Sequence, residues 1–102
     1  KDPATIEVLV NALRDENYEV RWDAAESLVQ FGSAGLPTLL QHLVQHFESR
    51  SLREGAKHIL RSLRGKDSLD DPLEQLYQIL DTSPMEKIPW VAQDALDKLH
   101  TP

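Results

Sequence analysis

Hydrophobic residues recur along this chain at helical intervals, and the same intervals return three times. Ile6, Leu9, Val10 and Leu13 are spaced i, i+3, i+4, i+7, which is one face of an α-helix. Leu36, Leu39, Leu40 and Leu43 repeat that spacing, and Leu73, Leu76, Tyr77 and Leu80 repeat it again. A second pattern, i, i+4, i+8, i+11, follows each of the first and is also a single stripe on a helix. It runs through Val20, Ala24, Leu28 and Phe31, then Leu52, Ala56, Leu60 and Leu63, then Ile88, Ala92, Leu96 and Leu99. Each unit predicts a helical hairpin with two apolar stripes. The chain is expected to be all-α: six helices in three antiparallel hairpins, at about 2–32, 33–65 and 70–100, forming one domain over residues 1–102. Such hairpins bury their stripes only by stacking, so the expected architecture is a short α-solenoid.

Capping residues mark similar boundaries. Asp2-Pro3 and Asp71-Pro72 each place an acid before a proline suited to the first helical position, and Glu74 fits a box-like start. Ser51 to Glu54 reads as a capping box opening the second hairpin's second helix. Gly32, Gly35 and Gly65 follow the ends of second helices, where a left-handed residue closes a helix at little cost. Pro89 lies within the last helix, and a start near Glu86 leaves it among the first four residues, whose N–H groups have no intrahelical acceptor. Pro37 sits early in its helix by the same reasoning. The polar stretch from Gly65 to Asp71 is expected to be a turn between hairpins.

Composition narrows the function. A net charge of −6 gives an average field that repels phosphate backbones and anionic membranes, so no nucleic-acid partner is expected. No apolar run is long enough to span a bilayer, so no membrane insertion is expected. Without cysteine there is no disulfide framework and no thiolate chemistry, which agrees with a cytoplasmic location.

From Leu13 through Asp15, Val20-Arg21 and Ala24-Ala25 to Leu28, the chain resembles a HEAT-like repeat of the phycobilisome-lyase type, within the armadillo-like α-solenoids. Leu52-Arg53 and Ala56 keep part of that signature in the second repeat. Ile88 and Ala92 keep it in the third, where Pro89 replaces the arginine. The resemblance implies that Asp15, Arg21 and Arg53 are structural groups bonding between repeats. It also implies a non-enzymatic scaffold or adaptor that binds another protein. The alternatives are a subunit of a bilin lyase or isomerase acting on phycobiliproteins, and a purely structural spacer.

The off-stripe positions are where a partner would bind. Trp22 and Trp90 occupy equivalent slots, with Glu54 in the middle repeat, so the candidate protein-binding face is Trp22, Ala25, Val29, Glu54, Lys57, Arg61 and Trp90. The competing reading is that both tryptophans pack against neighbouring hairpins. His42 and His46, four apart on one helix, could present two imidazoles to a metal, with Glu48 or His58 as third ligand, but the ligand count favours ordinary rim histidines. Asp15, Glu16 and Glu19, and likewise Asp67, Asp70 and Asp71, belong to turns where water screens them, so no catalytic group is assigned. No cofactor is expected. Lys87, Asp94, Asp97 and Lys98 give the last hairpin a polar exterior, whereas Trp22 and Val29 give the first a less polar one. Further repeats are therefore expected before Lys1 in the parent protein.

Overall fold

In a computed structural model, residues 3–66, 69–82 and 84–100 are described; at Pro3 only the backbone is. The described residues form α1 (Pro3–Ala12), α2 (Tyr18–Phe31), a single 3₁₀ turn (Gly32–Gly35), α3 (Leu36–Gln45), α4 (Arg50–Lys66), α5 (Leu73–Ile79) and α6 (Lys87–His100). The protein is all-helical among these residues, and no helix is long and apolar enough to cross a membrane.

The helix ends follow from local chemistry. Asn17 caps α2, its Oδ1 accepting from Glu19 N at 2.8 Å, while the Asp15 carboxylate accepts from Asn17 N at 2.8 Å and holds the turn. Gly32 closes α2 at φ 62°, a left-handed value, and its N–H bonds to Val29 O. At α4 the cap is Ser49, whose Oγ accepts from Leu52 N at 3.2 Å; the expected Ser51 box does not form, because the helix already starts at Arg50 and Glu54 reaches back to accept from Arg50 Nε at 3.2 Å. Gly65 lies inside the last turn of α4 and does not follow it. Likewise α5 starts one residue after Pro72, without a side-chain cap. Asp71 offers its backbone carbonyl to Lys98 Nζ at 2.6 Å, and Glu74 turns to Arg64 and Gln78. Pro89 is the third residue of α6, inside the tolerated first turn. The Asp2 cap and the turn residues Asp67 and Ser68 lie outside the described residues.

The arginines of the repeat signature act within hairpins. Arg21 Nη1 donates to Asp15 O at 2.7 Å and to Glu16 O at 3.1 Å. Arg53, 32 residues on, donates from Nη1 to Phe47 O at 2.7 Å, again six residues back. Each long side chain reaches down its own helix to the turn before it and satisfies a carbonyl of that turn. Asp15 and Arg21 fasten the turn of their own hairpin, so the expected bonding between repeats is corrected for them. Arg53 fastens its own turn and also reaches across to Met85 Sδ of the third hairpin at 3.6 Å.

The core combines both stripes. Val10, Leu13, Leu39, Leu40, Leu43, Leu52, Leu60, Leu76, Leu80 and Ile88 are essentially without solvent contact. Ala24, Ala56 and Ala92 are buried at the same register in each second helix, where a small side chain lets a neighbouring helix approach closely. Two stripe residues depart from the pattern: Val20 and Leu99, at opposite ends of their stripes, are exposed.

Like helices stack on like helices only in the first two hairpins, where α1 lies beside α3 and α2 beside α4. Two pairs between these hairpins join an acid to an imidazole: Glu7 of α1 to His42 of α3, and Glu26 of α2 to His58 of α4 at 2.7 Å. A regular stack would next put α5 beside α3 and α6 beside α4. Instead α6 packs along α3, and α5 packs against α4 and α6. The rows are therefore α1, α3, α6 and α2, α4, α5, and the expectation of three equivalent stacked hairpins is corrected for the third. The physical reason is in α6, which buries Ile88, Val91, Ala92, Ala95 and Leu96. Val91 stands where Asp23 and Gly55 stand in the earlier repeats, so the α6 apolar face is broad enough to cover α3.

Candidate functional site

Helix α4 is the middle of its row and carries six of the chain's eleven lysines and arginines against a single acid, Glu54. Its basic side chains divide into two groups. One group forms the seam with α5. Lys57 Nζ meets Asp81 at 2.9 Å and lies 4.8 Å from the centre of the Tyr77 ring; Arg64 bonds Glu74 at 2.9 Å and lies 5.1 Å from the same ring. Arg61 Nε approaches the Tyr77 hydroxyl at 3.5 Å. The other group faces solvent, and Arg50, with 84% of its side chain exposed, is the clearest member.

These contacts set the titration of the seam. Hydrogen bonds from Gln78 and then Arg64 hold the Glu74 carboxyl below the usual range, and Lys57 does the same for Asp81. The hydrogen bond from Arg61, with the charges of Arg61, Lys57 and Arg64, pulls the Tyr77 phenol down as well. A carboxylate whose folded value is depressed contributes stability that is complete above its unfolded value and is lost as pH falls through the folded one. Acidification below the ordinary carboxylate range is therefore expected to loosen α5 from α4. Melting temperature measured against pH should fall on the acid side, and Glu74→Gln should flatten part of that fall.

Two adjoining clefts flank α4. The larger, about 610 Å³, lies between α4 and the turn from α5 to α6, lined by Arg50, Arg53, Lys57 and Arg61 on one side and by Leu80, Asp81 and Met85 on the other. The smaller, about 200 Å³, lies between α2 and α4 and is bounded by Leu13, Tyr18, Trp22 and Gly55. Glu54 and His58 border both, so the clefts form one groove over the crest of α4. Gly55 has a packing reason here, since a Cβ would come within 2.9 Å of Leu13 Cδ2. Trp22 remains 48% exposed, yet its ring stands 5.4 Å from that of His58, which Glu26 orients in turn.

The structure brings part of the expected face together. Trp22, Ala25 and Glu54 border the small cleft, and Glu54, Lys57 and Arg61 the large one. Ala25 is buried, and Val29 packs against the core, so both support the surface from beneath more than they present it. Lys57 is committed to the seam, with a side chain only 19% exposed. Trp90 is 73% exposed, but α6 belongs to the other row and Trp90 lines neither cleft. Arg50, Tyr18 and Met85 belong to the groove and were not singled out from the sequence, and Arg53, which also lines it, was expected only as a structural group. The density of cations between Arg50 and Lys66 was the available signal for the two arginines.

The histidines do not gather. His42 is buried against Glu7, His58 is engaged with Glu26 in the other row, and the rings of His42 and His46 are 5.9 Å apart at 50°. Among the described residues, no three metal-ligating side chains are grouped.

A family model for HEAT repeats matches residues 1–64, which is more than half of the chain and ends two residues before the end of α4. No curated protein and no solved structure matched. The matched segment is the part in which like helices stack on like helices, and the unmatched remainder is the reversed third hairpin. On that match the chain belongs to the HEAT repeat family.

Proposed function

We propose that the chain is a non-enzymatic protein-binding module whose contact surface is the row of α2, α4 and α5. The observation that carries this reading is Trp22, a large aromatic half-exposed at the edge of a groove and held beside His58. An aromatic side chain already fixed in place loses little rotamer freedom when a partner covers it, which is why such residues anchor interfaces. Repeat architectures of this family commonly serve protein interaction, and an open groove along a helix row agrees with that use. The test is capture of a stoichiometric partner from extracts of the parent cell. Trp22→Ala should lose that partner without lowering the melting temperature by more than a few degrees, whereas Trp90→Ala, outside the groove, should retain it. A chain that captures no saturable partner, or one indifferent to Trp22, would sink the proposal.

A further inference from the structure

The charge of this protein is unevenly distributed, and the unevenness coincides with the groove. The chain as a whole is acidic at −6, yet Arg50, Arg53, Lys57 and Arg61 line one cleft with only Glu54 and Asp81 to offset them. Their spacing, i, i+3, i+7, i+11, keeps all four within one face of α4. At a rise of 1.5 Å per residue, Arg50 and Arg61 are separated by about 16 Å along the helix, the length of about five residues of extended chain. At the α2 side the same groove becomes apolar, bounded by Leu13, Tyr18 and Trp22.

We infer that the groove over α4 takes a short acidic peptide segment, extended along the helix crest, with one apolar side chain seated beside Trp22. The inference rests on the protein-binding reading and names the chemistry of the partner. Charge complementarity favours it: among the described residues the Arg50 guanidinium bonds exposed Glu54, and a carboxylate from a partner can replace that bond with a bidentate one. Lys57 and Arg61 extend the positive line. Arg53 stays on the Phe47 carbonyl and contributes charge without moving. A long polyanion fits less well, because the chain as a whole is acidic at −6 and its average field repels phosphates beyond the groove.

The test uses the whole chain with Trp90→Phe, so that Trp22 is the sole tryptophan and its emission reports on the groove. The probes are a blocked glutamate-rich pentapeptide carrying one leucine, the same peptide with glutamine for glutamate, and a short single-stranded DNA. The glutamate peptide should shift Trp22 emission saturably. It should bind about tenfold more tightly than the glutamine peptide and weaken by a similar factor at high salt. Arg50→Glu with Arg61→Glu should abolish the response, and Arg50→Gln with Arg61→Gln, which keeps most of the side-chain bulk, should reduce it part-way while circular dichroism stays unchanged. Equal binding of the two peptides, no saturable response to the glutamate peptide, or tighter binding of DNA through the same arginines would each overturn the inference. The module reading fails on a different result: a wild-type chain that captures no partner at all.

Discussion

Leu40→Ala is expected to bring the protein close to unfolding. Leu40 has no solvent contact and sits in α3, the helix flanked by α1 on one side and α6 on the other. Truncating a leucine in so closed a site removes its transfer energy and leaves a cavity, a cost of about 2–5 kcal/mol. A domain of this length has roughly 5–15 kcal/mol in total, so the variant should melt at least about 10 °C lower, or populate the unfolded state measurably at room temperature. Thermal and urea denaturation followed by circular dichroism measure this directly. A loss below about 1 kcal/mol would mean that α3 is not held from both sides, and the row of α1, α3 and α6 would have to be redrawn.

Cutting the chain after Lys66 is expected to be more damaging still, although it leaves the family-matched repeats whole. The cut strips α6 from α3 and α5 from α4 together, uncovering what Ile88, Val91 and Leu96 bury. At about 1.5–3 kcal/mol for each such side chain, the loss is comparable to the whole stability of the domain. The shortened chain should retain helical far-ultraviolet signal, lose a cooperative melt and bind a hydrophobic dye. A sharp, reversible melt of the shortened chain would show that the first two hairpins are self-sufficient and that the third merely rests on them.

Much of the fold was legible because periodicity reports burial directly. The stripes at Leu36, Leu39, Leu40 and Leu43, and at Leu52, Ala56 and Leu60, are buried as the spacing predicts, and Gly32 closes α2 as its position suggests. Caps were less legible, since Ser51 read as the start of α4 whereas the capping side chain is Ser49, two residues earlier. The reversal of the third hairpin was not legible at all from the repeat alignment. An apolar stripe states that a helix face is covered without stating which neighbour covers it, and α5 and α6 both have stripes. The clue lay in the odd position out, Val91 where Asp23 and Gly55 precede it.

The groove was half legible for a similar reason. Trp22 and Glu54 were found by asking which residues stand off the stripe, and the same question returned Trp90, which the reversal carries to the other row. Averaging charge over the chain concealed the cations of α4, because their excess is cancelled by acids elsewhere. Charge counted helix by helix would have shown it. The two His–Glu pairs were invisible in principle, as each joins residues more than thirty positions apart.

The reversed hairpin also bears on mechanics. A stack in which every unit repeats its predecessor behaves as a spring, because its two rows can lengthen and shorten independently and the coil changes pitch at little cost. Here α4 and α5 follow one another within one row, and the chain returns to the other row only at α6. Moving the third hairpin would shift α6 on α3 and α5 on α4 at once, against a closely packed core. This end of the molecule is a clamp that holds both rows.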